Sequence, residues 1–268
     1  NAERIEDDIG VLLVIHPRGI SDQAQYAIDQ FVLRGGRLVA LLDPYAYFDQ
    51  IPGMGRSEGG TASTLDKLLK AWGVGFDATK VVTDVKFLSG AGPRALPTLL
   101  SLSGSALNAE DVTTSRLGFL LVPFAGAFSG TPPEGIRQTV LIKSSTYSAL
   151  SDASAAVTQG DAAVKDFAPS GKEYPLAIRL TGRFKTAFPD GKPSAEKPAD
   201  GSTNAPPATA DSLKESKVDT SVILVGDADL INDSFTVQET QTPFGLMHRQ
   251  LNANLNLAQN AVEQMSGD

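Results

Sequence analysis

The chain has no cysteine. Disulfides, thiolate metal sites and cysteine nucleophiles are excluded together, although the compartment stays open. Histidine is also scarce. His16 and His248 are the only two, too few and too far apart for a metal or triad argument from spacing. No long apolar run exists: the longest uncharged apolar stretch, 117–128, contains Pro123 and two glycines, whereas a membrane-spanning helix needs about 20 residues. Positive charge is in deficit, with 23 Lys and Arg against 31 Asp and Glu and a net charge of -8. The basic residues are scattered singly, which argues against a nucleic-acid surface. The turn from His16 to Ser21 lacks the glycines of a dinucleotide-binding loop, and neither a P-loop nor a Gly-x-Ser-x-Gly elbow occurs. Asn1 opens the chain with neither an initiator methionine nor a signal-peptide pattern, so a mature or excised segment is expected.

What is present is enough apolar material for a sizeable core, 41% of 268 residues. The run Ile9-Gly-Val-Leu-Leu-Val-Ile-His-Pro17 reads as a strand. After it, Ser21 offers an N-cap oxygen, Ala24, Ile28 and Phe31 recur at helical spacing, and Gly35 and Gly36 stop the helix. A second apolar run, 38–42, follows at once. Two continuous apolar strands joined by a helix predict a βαβ crossover and hence a parallel sheet covered on both faces. The expected fold is therefore α/β: a mostly parallel Rossmann-like sheet, flavodoxin-like or class I glutamine amidotransferase-like, with helices on both faces, built as a single domain over 1–268. Cysteine-dependent amidotransferase activity is excluded by composition.

Further along, Leu65, Leu68, Leu69 and Trp72 mark a second helix over 64–72, and 80–84 reads as a short strand. The middle, 96–150, is more strand-rich, with apolar runs near 96–103, 117–124 and 139–143 separated by turn residues. Strands are also expected at 176–182 and 221–227. Leu246, Leu251, Leu255, Ala258 and Val262 suggest a helical face across 244–265. Within 185–217 the chain is rich in Pro, Ala and Ser and poor in bulky apolar residues, which predicts a flexible insertion. No internal repeat of solenoid length is evident.

The candidate chemistry sits at strand ends. Asp43 closes Leu-Leu-Asp-Pro, and Asp227 and Asp229 lie in Val-Gly-Asp-Ala-Asp; parallel strands would bring them to one rim, where His16 also falls. Together they are the ligand or metal candidates, because a rim of carboxylates can hold Mg²⁺ or Ca²⁺ through oxygen. The competing and favoured reading is that each Asp caps the turn that follows it. A haloacid-dehalogenase-type phosphatase would need later motifs for which too little chain remains after Asp227, and the segment lacks the glycine and glutamate of an EF-hand loop. Tyr45, Tyr47 and Phe48 are candidate partner contacts, with core cover as the ordinary alternative. No residue is assigned a catalytic role, and no cofactor is implied.

Four blocks carry a family resemblance: Tyr26-Ala-Ile-Asp-Gln-Phe-Val-Leu-Arg-Gly-Gly36, Ala71-Trp-Gly-Val74, Tyr174-Pro-Leu-Ala-Ile-Arg-Leu-Thr-Gly-Arg-Phe-Lys-Thr-Ala-Phe-Pro189 and Val222-Ile-Leu-Val-Gly-Asp-Ala-Asp-Leu230. In their order, over about 9–265, they resemble the soluble domain of the auxiliary component of gliding-motility-type ABC transporters (GldG-like). The resemblance implies a non-catalytic binding or scaffolding domain on the extracytoplasmic (periplasmic) face of the bacterial inner membrane. It further implies anchoring by flanking segments, and an ABC permease and ATPase as partners. The loops 44–60 and 84–95 and the 185–217 insertion would supply contact surfaces. The alternative from the residues is a small-molecule or carbohydrate-binding domain, or a metal-dependent hydrolase, using the strand-end carboxylates.

Overall fold

The computed structural model describes residues 4–49, 61–90, 95–159, 167–193, 212–243 and 245–267. In chain order the elements are β1 (Val11–Ile15), α1 (Asp22–Leu33), β2 (Arg37–Leu41), α2 (Asp66–Ala71), β3 (Val74–Phe76), β4 (Lys80–Asp84), β5 (Leu88–Ser89), β6 (Leu96–Leu102), β7 (Leu120–Pro123), β8 (Phe128–Gly130), β9 (Ile136–Lys143) and β10 (Ser148–Asp152). They continue with α3 (Ala153–Gln159), β11 (Pro175–Gly182), β12 (Thr220–Val225), α4 (Asp233–Thr236), β13 (Val237–Thr242), β14 (Gly245–Gln250) and α5 (Asn254–Ser266).

The first strand, helix and strand form as the sequence predicts. Ser21 Oγ accepts from the Ala24 N–H at 3.2 Å, satisfying one of the free donors at the start of α1. Gly35, at φ 107°, ends the helix in a conformation that disfavours a side chain. β1 and β2 then pair in parallel, Val11 opposite Arg37 through Ile15 opposite Leu41. β12 adds in parallel on the other side of β2, with Val222 opposite Leu38 and Val225 opposite Leu41.

Beyond β12 the expected architecture fails. The five-stranded sheet has the order β1-β2-β12-β11-β9, and β11 runs antiparallel to both β12 and β9. The other described strands form small antiparallel sheets: β5-β6-β7, β4-β10, β3-β8 and β13-β14. The protein is thus mixed α/β and strand-rich, and the mostly parallel Rossmann-like, flavodoxin-like or amidotransferase-like layering is overturned. The reason is connectivity. A parallel neighbour needs a crossover of a dozen or more residues, usually helical, and the chain between β3 and β11 mostly supplies short turns between strands, which close antiparallel pairs.

The central strands β2 and β12 are buried on both faces, and their alternation separates two cores. Leu38, Ala40, Val222 and Leu224 face Phe31 of α1, with Leu68, Trp72 and Phe184 completing that side. Val39, Leu41, Ile223 and Val225 face the other way, onto Leu257, Ala261 and Met265 of α5 and Leu100 and Leu120 of the small sheet. Burying a leucine fully contributes about 1.5–3 kcal/mol, so these facing rows hold the central strands in register.

The C-terminal reading also needs correction. Residues 245–250 are an exposed strand of the β13-β14 hairpin, and α5 begins only at Asn254. Its buried face is Asn254, Leu257, Ala261 and Met265, whereas Leu246, Leu251 and Leu255 are exposed. Asn254 fixes that rotation, because its side chain is fully buried and bonded to the backbone of Leu121 and Leu230. The core of the predicted insertion, 194–211, lies outside the described residues. Its described ends are pinned: the backbones of Lys185 and Glu215 form an isolated antiparallel β-bridge, the Thr186 hydroxyl and Ala187 N–H donate to Asp29, and Phe188 packs edge-on against Tyr26 at 5.5 Å.

Candidate functional site

Because β2 and β12 are parallel neighbours, the residues that follow them emerge on the same rim. Asp43 and Asp227 are placed there together, and Asp229 joins them from the 3-10 turn Asp229–Ile231. Each of the three offers an oxygen within 4.8 Å of the others. All three are buried, at 0%, 1% and 7% exposure.

Asp43 and Asp227 hold the backbone that follows them, as the capping reading expects, whereas Asp229 bonds a distant segment. Asp43 Oδ1 accepts from the Tyr45 N–H at 2.7 Å, and its Oδ2 accepts from the Ala228 N–H at 3.0 Å. Asp227 Oδ1 accepts from Leu230 N–H at 3.3 Å, and Asp229 Oδ2 accepts from Tyr47 N–H at 2.5 Å. Asp227 Oδ2 is different: it is buried without a hydrogen-bond partner. Gly226 allows the close packing beneath, since a Cβ there would lie 2.4 Å from the carbonyl oxygen of Gly126.

Three acids in so dry a place resist ionisation. Burial, then the charge of Asp229, pushes the Asp43 carboxyl up to about 8 against the backbone donors that favour its charged form. Burial, followed by the charges of Asp43 and Asp229, raises Asp227 well above the usual carboxylate range. Burial also raises Asp229, opposed by the N–H groups of Tyr47 and Phe48.

His16 reaches the same rim but stays outside the acidic group. Its Nδ1 lies 2.9 Å from Ser63 Oγ and its Nε2 lies 3.1 Å from Asp49 Oδ2, so both ring nitrogens are engaged. Ser63 in turn pairs with the Asp43 backbone, its N–H donating to the Asp43 carbonyl at 2.7 Å. Arg18 donates to Asp49 at 2.6 Å. Burial works to raise Asp49, but the hydrogen bonds from Arg18 and His16 outweigh it and hold the carboxyl below its usual range. Arg18, Asp49 and Ser63 escaped sequence reasoning; the one available signal was that Arg18 shares the turn of His16.

The aromatic candidates cover this rim. Tyr45 packs against Phe124 at 5.4 Å, Tyr47 stacks over Phe124 at 6.1 Å, and Phe48 meets Phe235 edge-on at 5.3 Å. Tyr45 is partly buried, as core cover requires, whereas Tyr47 and Phe48 remain 43% and 39% exposed. His16 and Phe124, both at φ 48°, are the non-glycine residues with positive φ among those described. Such backbone is costly and persists where surrounding contacts hold it. Both lie at this rim. The contact surface expected from 44–60 is described only as far as 49, and that from 84–95 is described except for 91–94; the remaining residues lie outside the described chain.

Together the fold and site define a strand-rich α/β domain with an acidic cluster under an aromatic rim. Residues 1–261 match the model of the ABC-type uncharacterized transport system family, and the chain belongs to that family. It is therefore an auxiliary component of an ABC transport system. No curated protein matches the chain significantly. Among solved structures it is similar to one titled "mmIFT52 N-terminal domain", with a TM-score of 0.49 and 9% identity, covering 97% of this chain and 78% of that chain. Among the described residues no helix is long and apolar enough to cross a membrane.

Proposed function

We propose that this chain is a non-catalytic binding or scaffolding domain of a GldG-like, gliding-motility-type auxiliary subunit. In this reading it stands on the extracytoplasmic, periplasmic face of the inner membrane, is anchored by flanking segments, and contacts the ABC permease and ATPase assembly. Family membership carries the proposal. The exposed rings of Tyr47 and Phe48, braced by Phe124 and Phe235, support it as a rigid aromatic surface suited to a protein partner. The buried carboxylates favour a structural over a hydrolytic role, since exposures of 0–7% leave little access for a substrate.

The test is capture of the tagged full-length protein from native membranes, followed by mass spectrometry, for wild type and a Tyr47→Ser, Phe48→Ser variant. Recovery of a permease and an ATPase with wild type, reduced about tenfold in the variant, is the expected result. If neither subunit is recovered while other membrane complexes survive, the proposal is wrong. Protease treatment of spheroplasts decides the compartment: protection of the domain from external protease would place it in the cytoplasm and overturn that part of the reading.

A further inference from the structure

We propose that Asp43, Asp227 and Asp229 form a binding site for a hard divalent cation, Ca²⁺ or Mg²⁺. This goes beyond the scaffolding role and does not depend on it. Capping explains the strand-end positions of Asp43 and Asp227, but it leaves two observations without an explanation.

The first is charge. Three carboxylates converge within 4.8 Å in a buried place, and none of the ion pairs among the described residues includes any of them. Arg18 and His16, the nearby cationic candidates, are turned to Asp49. Three such groups cannot all ionise here without a counter-charge, and a bound cation reverses the sign of that interaction.

The second is Asp227 Oδ2. The side chain is 1% exposed, its Oδ1 is held by the Leu230 N–H, and the other oxygen is buried with no partner. A buried acceptor left unpaired costs about 1–3 kcal/mol, more when charged. The other acidic groups of the cluster, Asp43 and Asp229, can only accept when ionised. A metal ion is an electron-pair acceptor that satisfies all three at once.

Ligand chemistry narrows the ion. The set is all oxygen, with no thiolate in the chain and with both His16 nitrogens engaged elsewhere, which selects hard cations over zinc or copper. Oxygens that all lie within 4.8 Å of one another can converge on either Mg²⁺, at about 2.0–2.1 Å, or Ca²⁺, at about 2.3–2.6 Å. Backbone carbonyls and water would complete the shell.

The alternative is that shared protons, not a metal, neutralise the cluster. Chelator-treated 268-residue protein distinguishes the two. Thermal unfolding with added Ca²⁺ or Mg²⁺ is compared between wild type and the near-isosteric Asp227→Asn, with circular dichroism confirming that the variant folds. Terbium luminescence excited through tyrosine gives a second readout, because the Tyr47 backbone is bonded to Asp229. The expected result is a saturable rise in Tm of about 5–10 °C at a hundred times the Kd, lost in Asp227→Asn, with one terbium ion bound per chain and displaced by Ca²⁺ or Mg²⁺. An unchanged wild-type Tm with either ion, or an equal rise in the variant, overturns the proposal in favour of shared protons.

Discussion

Asp43 Oδ2 accepts a hydrogen bond from the Ala228 N–H at 3.0 Å, a contact that spans 185 residues of sequence. With the Tyr45 N–H on its other oxygen, one buried side chain ties the loop after β2 to the loop after β12. Removing it strands two backbone donors. Asp43→Ala is expected to destabilise the fold by about 2–5 kcal/mol, as each unsatisfied buried donor costs about 1–3 kcal/mol. Urea denaturation measures it; a loss under about 1 kcal/mol would mean that water or a rearranged loop replaces the carboxylate.

Gly226 makes a sharper steric prediction. Its missing Cβ would lie 2.4 Å from Gly126 O, a backbone atom that cannot turn aside, so Gly226→Ala should destabilise by about 3 kcal/mol or more. Gly118 is the control. Nothing lies within 4 Å of a Cβ there and its φ is not positive, so Gly118→Ala should be neutral or stabilising by about 0.4–1 kcal/mol. Equal losses at the two sites would refute the close-packing argument.

Asn254 anchors α5 from its first turn. Its amide donates to the carbonyls of Leu121 and Leu230 at 2.7 and 2.6 Å and its oxygen accepts from the Leu121 N–H at 3.0 Å. Asn254→Leu matches the volume and removes all three bonds, at an expected cost of about 2–4 kcal/mol. Hydrogen exchange should show the loss concentrated in α5 and β7. Uniform protection across the chain in the variant would contradict the anchoring role.

Asp29 sets a pH dependence. Burial raises its pKa, against hydrogen bonds from Ala187, Thr186 and Gln30 and the charge of Lys214. As pH climbs above 3.8, the unfolded chain releases this proton first while the folded chain retains it, so unfolding gains a proton-release advantage. The group's stabilising contribution is complete below 3.8 and is lost as pH rises through the folded value. Relative to wild type, Asp29→Asn should therefore gain stability as pH rises above 3.8. Denaturant titrations at several pH values read the difference, and a variant that loses ground over that range would reverse the sign assigned here.

How much was legible depends on how local the determinant is. Ser21, Gly35 and the apolar positions of α1 act within a few residues, and the helix formed where they placed it. Strand 80–84 and the runs at 139–143 and 176–182 were equally visible, because an apolar stretch between turn residues favours extended chain whatever it pairs with. The same pattern does not state direction. β11 reads as a buried strand in any sheet, and only its neighbours make it antiparallel. At the C-terminus, a leucine spacing that fits a helix belongs in part to the exposed hairpin, and a buried polar residue, Asn254, fixes the helix face.

The site divides in the same way. Strand ends at Asp43 and Asp227 were readable, and two parallel neighbours were enough to bring them to one rim. Engagement of His16 by Ser63 and Asp49, and the seating of Tyr47 over Phe124, join distant segments through side-chain geometry that no spacing encodes.

By itself the sequence determined the absence of cysteine chemistry, the early strand, helix and strand, and the acidic residues that close two buried strands. Tertiary structure alone decided which strands run antiparallel and how deeply the three carboxylates are buried. Local propensities act over a few residues, whereas strand direction and desolvation depend on what distant chain segments pack against them.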